Sequence, residues 1–508
     1  MERVATRKKI KLEQVNSLRH TRDRYEQLAD PLHYIYSDPP SIAGQLSFTV
    51  YDQKDKLEAL IREIDNGFEN GHIKEDHIED VADCTKELGE MIATDPRIGD
   101  LLGVNFLNRI VHLLKCEKSP NLQVYAASIL ESIVAFSCNK DEVDAIIQSI
   151  TPVVLRLICS PVTGVQVKAL WLFRTLVFKI SKSSVEEALA PITSIILEDS
   201  IGFGVLHPAS EVLLDVCQVH PKLSHEKLKL VLPALVKLIE SKILPSFTAG
   251  CWGLAYLCEG REEMVVEEKD LKRLIRRFVN LMNSEKHPVI ISGLIPLGSI
   301  ARWGDDDVIE AIIKDKGSLR ILSILLEEGD MYMMKQICWI ISNITARKGK
   351  HIRAVIYGAT DCKLIDPLLN IVRDCKLHDV RKEALWALSN AMCGVERDQI
   401  VCLRETCLDF FCGELLLPFQ RDIPFVLVII QGLVNINALS VCWDGHVIDG
   451  IELYYIFMDI LHNGDFCSLD DSVQKSDTSY SLLCYPLRGL PFGIVYSNQE
   501  LSVRLHGY

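Results

Sequence analysis

EALWALSNAMCG, residues 383–394, is the stretch that decides the fold. Read as a helix turning about 100° per residue, it places Ala384, Leu388, Ala391 and Met392 on one apolar face. Glu383, Trp386 and Asn390 fall on the opposite face. QICWIISNITAR, residues 336–347, repeats the arrangement, with Ile337, Ile341 and Ile344 on the apolar face and Trp339 and Asn343 across from it. In AGCWGLAYLCEG, residues 249–260, the apolar face is Leu254 and Leu257, and Trp252 pairs with Tyr256 on the far side. A tryptophan away from the apolar stripe in three separate helices predicts one helix type, reused, whose indoles point outward.

The spacing of these helices sets the architecture. Trp171 to Trp252 is 81 residues, Trp252 to Trp339 is 87 and Trp339 to Trp386 is 47. These intervals are one or two copies of a unit of about 40 to 47 residues, the period of two- and three-helix solenoid repeats. Between the tryptophans the chain reads as short amphipathic helices such as VLPALVKLIESK (231–242) and LRILSILLEEGD (319–330). They are broken by loops such as SPVTG (160–164) and NSEKHP (283–288). Strand signals are few. The expectation is an all-α solenoid of armadillo or HEAT repeats over residues 49–465, each stacking on its neighbours. Residues 1–28 form a basic arm and 29–48, with Pro31, Pro39 and Pro40, a linker. Residues 466–508 show no helical period and read as an irregular tail.

Composition narrows the function classes. The 508 residues are 48% hydrophobic, and a single compact core stops growing well below that length, so several domains or one array follow. No run of 18 uninterrupted apolar residues occurs and the amino terminus is basic and amphipathic, which predicts neither a membrane span nor a secretory signal. The reading is a soluble, intracellular protein. The 17 cysteines sit at apolar helical positions such as Cys251 and Cys338 without a CxxC pair, as buried free thiols do in a reducing compartment. The net charge is −14, yet residues 1–28 carry eight Lys and Arg against four Asp and Glu, leaving −18 for the remainder. A basic arm on an acidic body argues for basic protein partners rather than nucleic acid. No nucleophile–base pair or metal constellation emerges, so no catalysis, cofactor or metal is expected. Asp305 to Asp307 read as a solvated helix start rather than a cation site.

The three quoted segments are similar to successive repeats of the importin-α family, the adaptors for nuclear localisation signals, over roughly residues 10–465. The resemblance implies the armadillo form, a right-handed superhelical solenoid of about ten repeats, with a concave groove in which stacked indoles hold the stems of Lys and Arg, Asn amides bond an extended peptide, and nearby acids meet its cations. The family's minor site maps onto Trp339, Asn343, Glu383, Trp386, Asn390 and Asp305, although Gln336 stands where an acid is expected and Ile295 and Ser299 replace an Arg and an Asn. Between the two sites Trp252, Tyr256 and Glu259 match, with Ala249 where an acid is expected. The major site is degraded: its three Trp and Asn pairs become Ser128 and Ser132, Trp171 and Thr175, and Glu211 and Asp215, and an expected acid becomes Lys179. Losing two walls and three amides, at about 1 kcal/mol or more each, cripples that site.

The arm resembles an importin-β-binding segment through Arg7, Lys8, Lys9, Leu18, Arg19 and Arg22. The basic cluster expected after Leu28 is replaced by ADPLHY, and with it goes the basis for autoinhibition. The implied partners are basic localisation-signal cargo, importin-β, an export factor and nuclear pore proteins, and the implied localisation is shuttling between cytoplasm and nucleus with transient residence at the nuclear envelope. The alternative is an armadillo scaffold that has lost cargo transport and binds structural or regulatory partners.

Overall fold

The computed structural model describes residues 54–393, except 70–71, 137–139, 221–222, 260–265, 316, 348 and 359–362, together with 492–497 and 500–505. The described residues fall into two compact units, the chain dividing between residues 303 and 304.

The first unit contains twelve helices among its described residues: α1 (Lys54–Asn66), α2 (Ile78–Thr94), α3 (Val104–Leu114), α4 (Pro120–Phe136), α5 (Lys140–Leu157), α6 (Thr163–Leu176), α7 (Lys182–Leu197), α8 (Phe203–Val219), α9 (His225–Glu240), α10 (Leu244–Glu259), α11 (Glu268–Met282) and α12 (His287–Trp303). A two-residue ladder, β1 (Phe68–Glu69) against β2 (His72–Ile73), joins α1 to the helices that follow. The even-numbered helices from α4 to α12 pack in sequence as one layer, and α5, α7, α9 and α11 pack over them as a second. The core lies between the layers and includes Phe173, Trp252 and Phe278, each fully buried. Burial of one face of every helix is the main stabilising term, at about 25 cal/mol per Å² of apolar surface removed from water.

Successive repeats are also tied by a recurring polar device. A cation from one repeat caps the carboxy-terminal carbonyls of the repeat before it, where the helix dipole is negative. Lys237 Nζ donates to the Leu197 carbonyl at 2.8 Å, and Arg277 donates through Nε to the Ile239 carbonyl at 3.0 Å and through Nη2 to that of Ser241 at 2.9 Å. Lys179 donates in the same way to the Val134 carbonyl at the end of α4. A close approach of helices completes the stacking at Gly250, where a Cβ would lie 2.8 Å from the Ile239 nitrogen.

The second unit holds α13 (Asp306–Lys314), α14 (Ser318–Glu328), α15 (Met331–Thr345), α16 (Gly349–Arg353), α17 (Ile365–Asp374) and α18 (His378–Cys393) among its described residues. Side-chain caps start α15 and α13 where the sequence changes from loop to apolar stripe: Asp330 accepts from Met333 N at 2.9 Å, and Asp305 accepts from Asp307 N and Val308 N at 3.1 and 3.0 Å. Across both units the helices that carry the tryptophan segments and their counterparts begin at residues 120, 163, 203, 244, 287, 331 and 378. Those starts are 40 to 47 residues apart, the armadillo period.

The tail departs from the irregular reading. Residues Phe492–Ser497 and Glu500–Leu505 form strands β3 and β4, an antiparallel hairpin that pairs Phe492 with Leu505, Ile494 with Val503 and Tyr496 with Leu501. The segment is apolar at every second residue, so its period is 2 and not 3.6, and a search for helical spacing passes over it.

Candidate functional site

In the second unit, α15 and α18 lie side by side and are held in register by two hydrogen bonds between them. Asn390 Nδ2 donates to the Ser342 carbonyl at 3.0 Å, and Thr345 Oγ1 lies 3.0 Å from the Ala387 carbonyl that it can donate to. This lock sets the Ser342–Thr345 turn of α15 against the Ala387–Asn390 turn of α18, so the Trp339, Asn343 and Trp386, Asn390 pairs recur on two adjacent helices, one repeat apart. Helices packed this way are separated by about 8–10 Å. An extended peptide advances about 3.3 Å per residue, so one step between the helices spans roughly three of its residues.

The indoles do not point into solvent. Trp339 is 6% and Trp386 4% exposed, and every residue from Glu383 to Met392 is buried. The outward-facing reading is corrected on this point, and the reason is physical. A helix inside a layered array has neighbours on several sides, so its polar stripe marks buried hydrogen-bonding atoms, not water. Part of that stripe is nevertheless left over: Asn390 Oδ1 and Asn343 Nδ2 are buried and make no hydrogen bond among the described residues. Buried polar atoms without partners are costly and uncommon.

Acids and cations of the same unit cluster around α13. Asp305 is an exposed cap at the start of α13, followed by Asp306 and Asp307. Glu310 on the same helix meets Lys350 at 2.5 Å and Lys314 at 3.1 Å, and these hydrogen bonds and charges hold its carboxyl down at about 2. His351, 1% exposed, places Nε2 3.4 Å from Glu310, and burial keeps its pKa below the ordinary histidine value. Burial likewise lowers the Arg347 guanidinium, with Asp306 and Asp305 pulling in the other direction.

The first unit holds the remaining residues singled out from the sequence. Trp252 is fully buried, its ring 6.2 Å from that of Tyr256, and its Nε1 makes no hydrogen bond among the described residues. Glu259 closes α10, and its side chain lies outside the described set. Trp171 is half-buried on α6. Arg174, one turn further on, brings its guanidinium to 5.5 Å from the Trp171 ring centroid and pairs with two acids of α8, Glu211 at 3.1 Å and Asp215 at 2.9 Å. Burial raises Asp215 to about 6, against the pull of Arg174.

Reasoning from the sequence alone missed Arg174. The signal was present, because Glu211 and Asp215 follow Arg174 by 37 and 41 residues, about one repeat, so both acids sit one repeat beyond the cation they pair with. Lys179, expected as a source of repulsion, is engaged in capping α4. Ser128 donates to the Val124 carbonyl at 3.0 Å and Thr175 to that of Leu172 at 2.7 Å, so both hydroxyls are turned onto their own helices. Arg7, Lys8, Lys9, Leu18, Arg19 and Arg22 lie outside the described residues.

The described cysteines are free thiols, and burial pushes Cys217, Cys251 and Cys338 far above the ordinary thiol range. Among the described residues no helix is long and apolar enough to cross a membrane.

The chain is 31% identical over 283 residues to importin subunit alpha-1a of Oryza sativa subsp. japonica, a match covering 55% of this chain and 52% of the relative. It is 29% identical over 351 residues to importin subunit alpha-1b of the same rice, and 30% over 349 residues to importin subunit alpha-4 of Arabidopsis thaliana; each match covers 68% of this chain and 63% of the relative. The matches thus span between half and two thirds of the relatives' length. No family model matches the chain. Among solved structures, an engineered protein overlays with a TM-score of 0.59 at 19% identity, covering 82% of this chain and 96% of that one, a likeness of fold.

Proposed function

We propose that this chain, a divergent member of the importin-α family, binds extended Lys/Arg-rich peptides through Trp339, Asn343, Trp386 and Asn390 as a nuclear import adaptor without catalytic activity. The observation that carries the reading is the register lock between α15 and α18, which repeats a Trp–Asn pair across two adjacent helices while leaving Asn390 Oδ1 and Asn343 Nδ2 buried without hydrogen-bond partners among the described residues. An amide that spends one end on the scaffold and leaves the other idle suits a peptide backbone, which offers a donor and an acceptor at every residue. Indoles on either side supply flat apolar walls for lysine and arginine stems, and Asp305 and Glu383 supply the charge. Because both indoles are covered in the chain as it stands, peptide binding has to uncover them.

The basic segment 7–28 adds the partner side of the reading. It docks on an acidic surface of importin-β, and cargo passes between cytoplasm and nucleus with the pair; an export factor and pore proteins complete the cycle. A second reading has its own support. Covered indoles and an amino-terminal groove whose charges are paired internally also suit an armadillo scaffold that binds partners elsewhere. Fluorescence anisotropy of a labelled Lys-rich peptide separates the two. Saturable binding that disappears in the Trp339→Ala, Trp386→Ala chain supports the adaptor; binding indifferent to that change, or absent from the parent, supports the scaffold.

A further inference from the structure

Arg174 is bound as a ligand would be. Its guanidinium lies over the half-exposed face of Trp171, 5.5 Å from the ring centroid, and divides its donors between Glu211 Oε2 at 3.1 Å and Asp215 Oδ2 at 2.9 Å. The two carboxylates are 4% and 6% exposed, while Arg174 itself is 34% exposed, so the acids form the floor of the arrangement and the cation its lid. His207 closes one side, edge-on to Trp171 at 5.5 Å, and Phe203 stacks on His207 at 5.5 Å and 5°. Two buried acids and an aromatic wall are what recognition of a guanidinium requires.

We propose that Trp171, Glu211 and Asp215 form a guanidinium slot whose resident is the chain's own Arg174, and that Arg174 thereby excludes arginine and lysine side chains of other molecules from the amino-terminal unit. An intramolecular group competes at an effective concentration of about millimolar or more, so a free peptide of ordinary affinity loses to it. Arg174 is on this account the specificity-determining residue that confines peptide reading to the second unit. The proposal deepens the functional reading above, since it takes Lys and Arg side chains as the ligands of these grooves.

The test uses the full chain with Arg174→Ala and ethylguanidinium as the probe, read by thermal melting against sodium chloride and ethylammonium at equal concentration. The Ala variant melts lower than the parent, and millimolar ethylguanidinium raises its melting temperature saturably; the parent does not respond, and neither does the Arg174→Ala, Glu211→Gln chain. If Arg174→Ala does not fold, recovery of folded chain on refolding in ethylguanidinium, but not in sodium chloride, is the supporting result. No shift or recovery beyond the salt controls overturns the proposal, as does an equal shift in the parent. Because no peptide enters this assay, the slot and the adaptor reading fail separately.

Discussion

Removing the Asn390 amide separates scaffold from ligand chemistry, because its two ends do different things. In Asn390→Ala the 3.0 Å bond from Nδ2 to the Ser342 carbonyl is lost. That carbonyl keeps the backbone N–H of Ala346 at 3.1 Å, so it is not stranded. The loss is the net value of one hydrogen bond, about 1 kcal/mol. Against it stands the removal of Asn390 Oδ1, a buried acceptor without a hydrogen bond among the described residues, whose relief is of the same size. Stability should therefore change by no more than about 1 kcal/mol, read as the opening free energy of α15 and α18 amides in native-state hydrogen exchange. Peptide affinity should fall much further, by tenfold or more, since each 1.4 kcal/mol of lost backbone bonding is a factor of about ten. Thr345→Val is the control: it removes a hydroxyl 3.0 Å from the Ala387 carbonyl, costs about 1 kcal/mol of stability and leaves peptide affinity unchanged. If Asn390→Ala destabilises by about 3 kcal/mol with affinity intact, Asn390 is a structural staple and the division of labour is refuted.

Three further outcomes follow from the geometry. Asp215, at about 6, is held down by Arg174, so Arg174→Gln should move its titration midpoint upward in carboxyl NMR; a downward move contradicts the pairing. Because the folded-state value lies above the ordinary one of 3.8, ionising Asp215 costs stability, and that cost is fully present above about pH 6 and disappears as pH falls towards 4. Glu310 behaves in the opposite way: its value is lowered to about 2, so its stabilising contribution is present above 4.5 and is lost as pH falls from there towards 2, which Glu310→Gln should abolish in an acid-unfolding series. Gly250→Ala places a Cβ 2.8 Å from both the Ile239 nitrogen and Leu238 Cβ, so α9 and α10 must separate; a loss of about 1–3 kcal/mol is expected in thermal melts.

Much of the fold was legible because the repeat period and the apolar stripes survive at the level of single residues. The segments around Trp252, Trp339 and Trp386 all form helices of one structural type, and the cap at Asp305 is where a run of acids before an apolar stripe belongs. What misled was the assumption that a stripe lacking aliphatic residues faces water. In α18 that stripe is Glu383, Trp386 and Asn390, and it is buried, because periodicity reports which residues differ from the core and not what covers them. Packing also overrides the local chemistry of proline. Pro152, Pro191 and Pro233 lie inside α5, α7 and α9, where local chemistry favours a break. The flanking residues Ile150, Val154, Leu189, Ile192, Val231 and Leu235 are fully buried, and their packing holds each helix through the missing hydrogen bond. The Arg174 pairing was hidden because it joins residues 41 apart and becomes visible only when the repeats are laid over one another.

The central claim is that Trp339 and Trp386 form the walls of a basic-peptide site, and their indole N–H resonances test it most directly. With each tryptophan assigned by Trp→Phe substitution, a Lys-rich peptide is titrated into the full chain. The account predicts saturable shifts of Trp339 and Trp386 together, with Trp171 unmoved beneath Arg174. Peptide binding that leaves both of those signals in place, or no binding at all, contradicts it.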